Sequence, residues 1–442
     1  MKGKKKMDLL KDNIKPIYFK YLSAAFGSSF ISSVYGIVDM AMVGQYHGPD
    51  GSAAMSVIMP VFNIIYGLGL LTGIGGSVLY GLQKGKKNDN THNQFFSAAV
   101  LTTAVIALVI WGLLFFFDSA LLKMIGTPED IFPLAKRYLI GIKSAVPFFM
   151  FTQVLAAFLR NDNAPGLATA AVLVGGIFNV FGDYFFIFTL NLGITGAGLA
   201  TAMGAVITSL MLLSHFFTKK NTLRLTKISN PLSKAGKIVS TGFSTFFVDL
   251  AVGIMTIIFN RQITIYFDNN ALAVFGVLIN ISMFVQCCAY SIGQASQPIL
   301  SINFGAGYGK RIRETLKYGL MTAAVFGIFW VGLLAAIPNV LIKLFMKPND
   351  TVLSIAPFIM RSYGLSFLLL PLNIYSAYYF QSIVRPAAAF WISVLRGVVI
   401  STALIMLLPM IAPNLIWFAM PITEVVIASA VIGLIVRYTK KL

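Results

Sequence analysis

The chain has 442 residues, 57% of them hydrophobic and only 11% charged. A soluble globular protein carries about 25% charged residues, so the composition excludes an ordinary soluble domain and points to a bilayer. The balance is strongly basic, 34 Lys+Arg against 15 Asp+Glu, but the bases lie between apolar segments and form no continuous stripe, which argues against nucleic acid as a partner.

Taken in order, the chain begins with Lys2, Lys4, Lys5, Lys6, Lys11 and Lys15 ahead of the first apolar segment. No small-residue cleavage site follows a short apolar core, so this segment is expected to be a retained signal-anchor helix. Twelve spans are expected, at roughly 18–44, 53–82, 95–117, 131–159, 165–190, 194–217, 237–266, 271–302, 314–337, 351–381, 386–410 and 413–436. Several exceed the ~20 residues needed to cross and should tilt, bend or project. Pro60, Pro147, Pro298, Pro371 and Pro421 fall inside spans, where they can kink helices. With the N-terminus in the cytoplasm, 25 of the 34 basic residues fall on the inner side, so both termini are expected to be cytoplasmic.

An internal repeat is visible. Leu121-Leu122-Lys123 followed by Pro128-Glu129-Asp130 recurs as Leu341-Ile342-Lys343 followed by Pro348-Asn349-Asp350, 220 residues on, and Gly85 and Gly305 keep that spacing. Arg160 and Arg385 are later, slightly drifted landmarks. The expected organisation is an N-terminal six-helix lobe (1–217), a basic cytoplasmic linker (218–236) and a C-terminal six-helix lobe (237–442). Six is even, so the repeat is parallel, an organisation common in secondary transporters.

Four acids fall within spans: Asp39, Asp183, Asp249 and Glu424. Charge in hydrocarbon costs several kcal/mol on any scale, so each should face a partner or a wet cavity. At 1.5 Å per residue, Asp39 lies roughly 7 Å and Asp183 roughly 10 Å below the outer end of its span, with Thr201 at a similar depth. Tyr35 and Asn179 each sit four residues before one of these acids, on the same helical face, and Tyr138 of the fourth span can join the layer. Two carboxylates close together in such a pocket cannot both stay ionised, and they would titrate as one unit. In the second half, Asp249 and Glu424 accompany Arg361 and Arg396, and ion pairs are as natural there as ion coupling. Lys143 stands as a lone base. His47, His92 and His215 are isolated, and no metal-ligand spacing is evident. Gly69-x-x-x-Gly73 in an apolar helix reads as close packing and not as a phosphate loop.

At Val38-Asp39-Met40-Ala41-Met42-Val43-Gly44 the sequence resembles the MATE (multidrug and toxic compound extrusion) transporters, with further matches at Gln153…Arg160…Pro165, Asn179-x-x-x-Asp183-Tyr184 and Gly196-Ala197-Gly198-Leu199-Ala200-Thr201. It is most similar to the DinF/MepA-like bacterial branch. The resemblance implies an all-α polytopic membrane protein of twelve helices in two pseudo-symmetric bundles with a V shape. It implies a secondary multidrug exporter of the plasma membrane, monomeric, needing no cofactor and exchanging amphipathic organic cations for inward H+ or Na+. Asp39 would be the principal coupling carboxylate, with Tyr35, Asn179, Asp183, Thr201 and Tyr138 around it, Asp249 and Glu424 as secondary sites, and any Na+ at Asp39, Asn179 and Asp183. Two departures stand out: Leu155-Ala156-Ala157 replaces an Asn found in some relatives, and Asp249 falls about a turn before an acid that another branch carries. Two other readings compete. A flippase for a lipid-linked or polysaccharide precursor would want basic residues where this half offers acids. An intramembrane aspartyl protease built on Asp39 and Asp183 would need a sequence setting of which only Gly182-Asp183-Tyr184 is present.

Overall fold

The computed structural model describes residues 8–86, 91–346 and 348–440. The terminal bases Lys2, Lys4, Lys5, Lys6 and Lys441, and Lys87 between the second and third spans, lie outside the described residues. Among those described, the protein is helical throughout, with no strand. Eleven helices are long and apolar enough to cross a bilayer, and a bent pair supplies a twelfth.

These are α1 (Ile14–Gly48), α2 (Asp50–Gly85), α3 (Thr91–Met124), α4 (Phe132–Ser144 with Val146–Asn161), α5 (Pro165–Thr189), α6 (Ile194–Phe217), α7 (Pro231–Tyr266), α8 (Asn269–Gly305), α9 (Gly309–Ala336), α10 (Asp350–Ser382), α11 (Pro386–Ile411) and α12 (Pro413–Thr439). Each expected span falls on one of them. A bilayer leaves the backbone no other partner than itself, so apolar segments of this length resolve as helices. Breaks fall where the chain chemistry permits them. Gly48 adopts φ 66°, ψ −153° and separates α1 from α2, a conformation open to glycine because it lacks Cβ. The two halves of α4 meet at 49°, beside Pro147.

The chain divides into two compact units. The first comprises Met1–Asp12 and Ser23–Phe246, the second Asn13–Leu22 and Phe247–Leu442. The first turns of α1 therefore pack within the second unit, where the Tyr18 hydroxyl donates to Thr322 Oγ1 at 2.9 Å. The basic linker packs with the first unit, and the division falls inside α7. The sequence repeat has structural counterparts. Gly85 ends α2 and Gly305 ends α8. The helical path breaks at Phe117 (φ −123°, ψ 21°) near the end of α3 and, 220 residues on, at Ile337 (φ −132°, ψ 46°) between α9 and the short helix Pro338–Phe345. Pro165 opens α5, as Pro386 opens α11.

Glycine-mediated crossings set the geometry of the first unit. A Cβ on Gly141 of α4 would come within 2.1 Å of the Gly198 carbonyl carbon in α6, and one on Gly198 within 2.6 Å of the Tyr138 carbonyl oxygen. On the other side of α6, a Cβ on Gly175 of α5 would lie 2.7 Å from the Gly204 carbonyl oxygen. Helices in lipid gain most from backbone approach of this kind, since apolar surface alone gives no preference for protein over lipid. Nothing lies within 4 Å of a Cβ built on Gly112, on α3. Gly141→Leu should therefore lower the thermal midpoint of the detergent-purified protein and broaden its elution profile, whereas Gly112→Ala should leave both as they are. Equal tolerance of the two changes would contradict this packing.

Candidate functional site

The glycine crossings bring α4 and α6 to the same carboxylate. Tyr138 lies one turn before Gly141, and Thr201 one turn after Gly198. The Tyr138 hydroxyl donates to Asp39 Oδ2 at 3.3 Å, and the Thr201 hydroxyl reaches the same oxygen at 3.4 Å. These are long hydrogen bonds, and Thr201 also donates to the Ala197 carbonyl oxygen at 3.0 Å. Asn179 Nδ2 donates to Thr201 Oγ1 at 3.3 Å, which ties α5 into the cluster. Asp183, one turn further along α5 and just before a π-helical turn at Phe185–Thr189, is wholly buried and within electrostatic reach of Asp39 and Tyr138. Tyr35 is partly buried, close enough to feel the Asp39 charge, and its ring would meet a Cβ on Gly176 at 3.1 Å. The six residues singled out in the sequence thus converge within one unit.

Four buried oxygens in this cluster make no hydrogen bond: Asp39 Oδ1, Asn179 Oδ1 and both oxygens of Asp183. Neither acid takes part in an ion pair among the described residues. A buried acceptor left unsatisfied costs about 1–3 kcal/mol, more when charged. Four such oxygens from three residues form a donor set that a proton or a small hard cation would satisfy.

The C-terminal end of α1 is anchored nearby. His47 Nε2 accepts the Ile194 N–H at 3.0 Å, and the Tyr46 hydroxyl bonds to Asn191 Oδ1. Lys143, expected to stand alone, is instead paired: its Nζ lies 2.7 Å from Asp118 Oδ2 and 5.2 Å from the Phe115 ring centroid. Asp118 escaped notice because it falls one residue beyond the expected end of the third span. Lys143 on α4 is therefore neutralised by Asp118 of α3, and among the described residues no basic side chain pairs with Asp39 or Asp183.

The second unit is built differently. Arg396 meets Glu424 through Nε at 2.9 Å and Nη2 at 2.8 Å, and Asn373 Nδ2 donates to Glu424 Oε2 at 2.6 Å. Asp249 accepts from the Tyr290 hydroxyl at 2.7 Å. Arg361 pairs with neither acid and donates to the Ala335 carbonyl oxygen at 3.1 Å. Arg396 borders a small pocket of about 60 Å³ that is also lined by Met255, Gln286, Tyr363 and Met420.

His215 is not isolated either. Asp162, in the turn after α4, receives His215 Nε2 at 2.8 Å, Lys84 Nζ at 3.1 Å, and the Thr222 N–H at 2.8 Å together with its hydroxyl. The ends of α2, α4 and α6 and the linker thus meet at one carboxylate. The sequence signal was available, since one His, one Lys and one Asp fall at helix ends on the same side, but their separation hid it. His92 rests against the Tyr80 ring at 5.2 Å.

The family profile MatE matches residues 24–185 and 243–408. The chain is 23% identical over 405 residues to the multidrug export protein MepA of Staphylococcus saprophyticus, covering 91% of this chain and 89% of that protein. A solved structure of an outward-facing multidrug resistance MATE family transporter of the MOP superfamily superposes with TM-score 0.92 at 19% identity, over the full length of both chains. The structure of the MATE multidrug transporter DinF-BH matches with TM-score 0.89 at 25% identity, over 99% of this chain and 98% of that one. The family match and the multidrug-export relatives place this polytopic helical protein among membrane transporters and not among enzymes. The chain belongs to the MATE family, in its bacterial branch.

Burial alone would raise the Asp162 carboxyl, but the hydrogen bond from His215, the charge of Lys84 and the two bonds from Thr222 outweigh it and hold the group at about 2. A folded-state value below the ordinary 3.8 means that this stabilisation is present above that pH and is lost as pH falls towards 2. Asp162→Asn should cost roughly 2 kcal/mol at neutral pH. It should also flatten the acid limb of a thermal-stability profile recorded in detergent. An unchanged acid limb would contradict the assignment.

Proposed function

We propose that this protein is a plasma-membrane exporter that exchanges amphipathic organic cations for protons, or for sodium, with the Asp39–Asp183 cluster as the exchange centre. The observation that carries the reading is the pair of buried carboxylates in one unit, with no basic partner among the described residues and with acceptor oxygens left without donors. Both termini are cytoplasmic in this reading, as the distribution of Lys and Arg between helices requires. An ion arriving from outside neutralises Asp39 and Asp183 and releases the bound cation. The emptied carboxylates then favour the next cation from the cytoplasm. Tyr138 and Thr201 hold Asp39 in place, and Asn179 orients Thr201. Alternating access follows only if cation and ion differ in affinity for the two arrangements of the protein. The names of MepA and DinF-BH, as multidrug transporters, support drugs as the cargo.

Efflux of a fluorescent organic cation from proteoliposomes, driven by a pH gradient or a sodium gradient imposed one at a time, tests this reading. One gradient should drive export in the wild type, and Asp39→Asn should reduce it by at least about tenfold, a barrier change of about 1.4 kcal/mol or more. Full efflux by Asp39→Asn at equal expression would end the proposal. Tyr138→Phe should retain export with a shifted pH dependence, because it removes one hydrogen bond and no charge.

A further inference from the structure

A second cavity lies in the first unit, apart from the carboxylate cluster. It is a groove of about 600 Å³ between α3, α4 and α6, roofed by the linker, and its lining includes Phe96, Phe148, Phe151, Leu155, Leu213 and Leu225. The lining is almost wholly carbon. Ser209 contributes one hydroxyl, already engaged with Thr152 Oγ1 at 2.9 Å and the Phe148 carbonyl oxygen at 3.3 Å. From Leu155 to Pro147 the groove runs along nine residues of α4, about 12 Å at 1.5 Å per residue, starting near the linker and ending at the bend deep in the span.

The linker is stitched along the first turns of α3. The Arg224 N–H donates to Asn93 Oδ1 at 3.1 Å, the Thr226 N–H to Ser97 Oγ at 2.8 Å, and the Ser229 N–H to Gln94 Oε1 at 3.2 Å. Residues 218–230 carry four bases, Lys219, Lys220, Arg224 and Lys227, and no acid. All four are exposed. The apolar groove therefore has a cationic rim at one end, at the level where α6 stops and the linker begins. The flank of α3 continues it with Leu101, Val105 and Leu108, each about half exposed, a face that bilayer covers.

We infer that this groove holds one acyl chain of an anionic phospholipid, with the phosphate at the Lys219, Lys220, Arg224 and Lys227 rim. Charge decides between candidate occupants. An organic cation finds no acid in the groove and four bases beside it. A zwitterionic lipid gains the apolar contact but little from the rim, whereas an anionic headgroup gains roughly 1 kcal/mol per nearby Lys or Arg. The leaflet is the cytoplasmic one in the orientation proposed above; the binding itself does not depend on that orientation and is testable in detergent.

Native mass spectrometry of the delipidated protein, titrated separately with phosphatidylglycerol and phosphatidylcholine of matched chains, reads the preference directly. The wild type should retain phosphatidylglycerol at least about tenfold more strongly, and glycerol phosphate without chains should not compete. Changing Lys219, Lys220, Arg224 and Lys227 to Glu together should abolish the headgroup preference. Leu213→Trp, a filling change at a half-exposed position of the groove, should lower retention of both lipids. Equal retention of the two lipids by the wild type, displacement by glycerol phosphate, or an intact preference in the charge-reversed protein would each overturn the inference. The wild-type comparison decides even if a variant fails to fold.

Discussion

The first unit depends on holding two carboxylates in a place where water cannot solvate them. Asp39 and Asp183 are buried on different helices; Asp39 is met by the Tyr138 and Thr201 hydroxyls, Asp183 by no hydrogen-bond donor, and neither by a cation among the described residues. That is a costly arrangement, and it persists because the surrounding helices cannot relax away from it. Gly141 and Gly198 let α4 and α6 touch backbone to backbone, and Gly175 and Gly204 do the same for α5 and α6. The stability of those crossings is what keeps the polar groups in register with the acids.

The two halves of the repeat have diverged at this point. In the second unit, a buried acid is met by a guanidinium and an amide, and Glu424 is neutralised in place by Arg396. A buried pair of that kind resists disruption, because removing either partner strands a charge. In the first unit, Asp39 and Asp183 have no such base beside them among the described residues. Asp249, held by the Tyr290 hydroxyl, lies between these extremes. The same duplicated scaffold thus carries buried acids with unsatisfied oxygens in one half and a buried ion pair in the other.

Much of this was legible in the sequence, for identifiable reasons. Hydropathy places the spans because a bilayer allows few alternatives to a helix, and the landmarks 220 residues apart located the repeat. Asp39, Tyr35, Asn179, Asp183, Thr201 and Tyr138 were recognisable because polar groups in apolar segments are rare, and depth along each helix put them in one layer. What escaped lies at helix ends, where span edges are uncertain. Asp118 was counted outside its helix, so Lys143 looked unpaired. Asp162, Lys84 and His215 come from three different ends, and no periodicity links them. The packing of Asn13–Leu22 with the second unit was equally invisible, since one continuous helix carries no mark of which bundle it joins.

Proton or sodium release on cargo binding tests the central claim most directly. When an organic cation binds the purified protein in weakly buffered detergent solution, about one proton should leave per cation bound, or bound sodium should be displaced in the same proportion, and Asp39→Asn should abolish the release. Binding of the cation by the wild type with neither ion released would contradict the account.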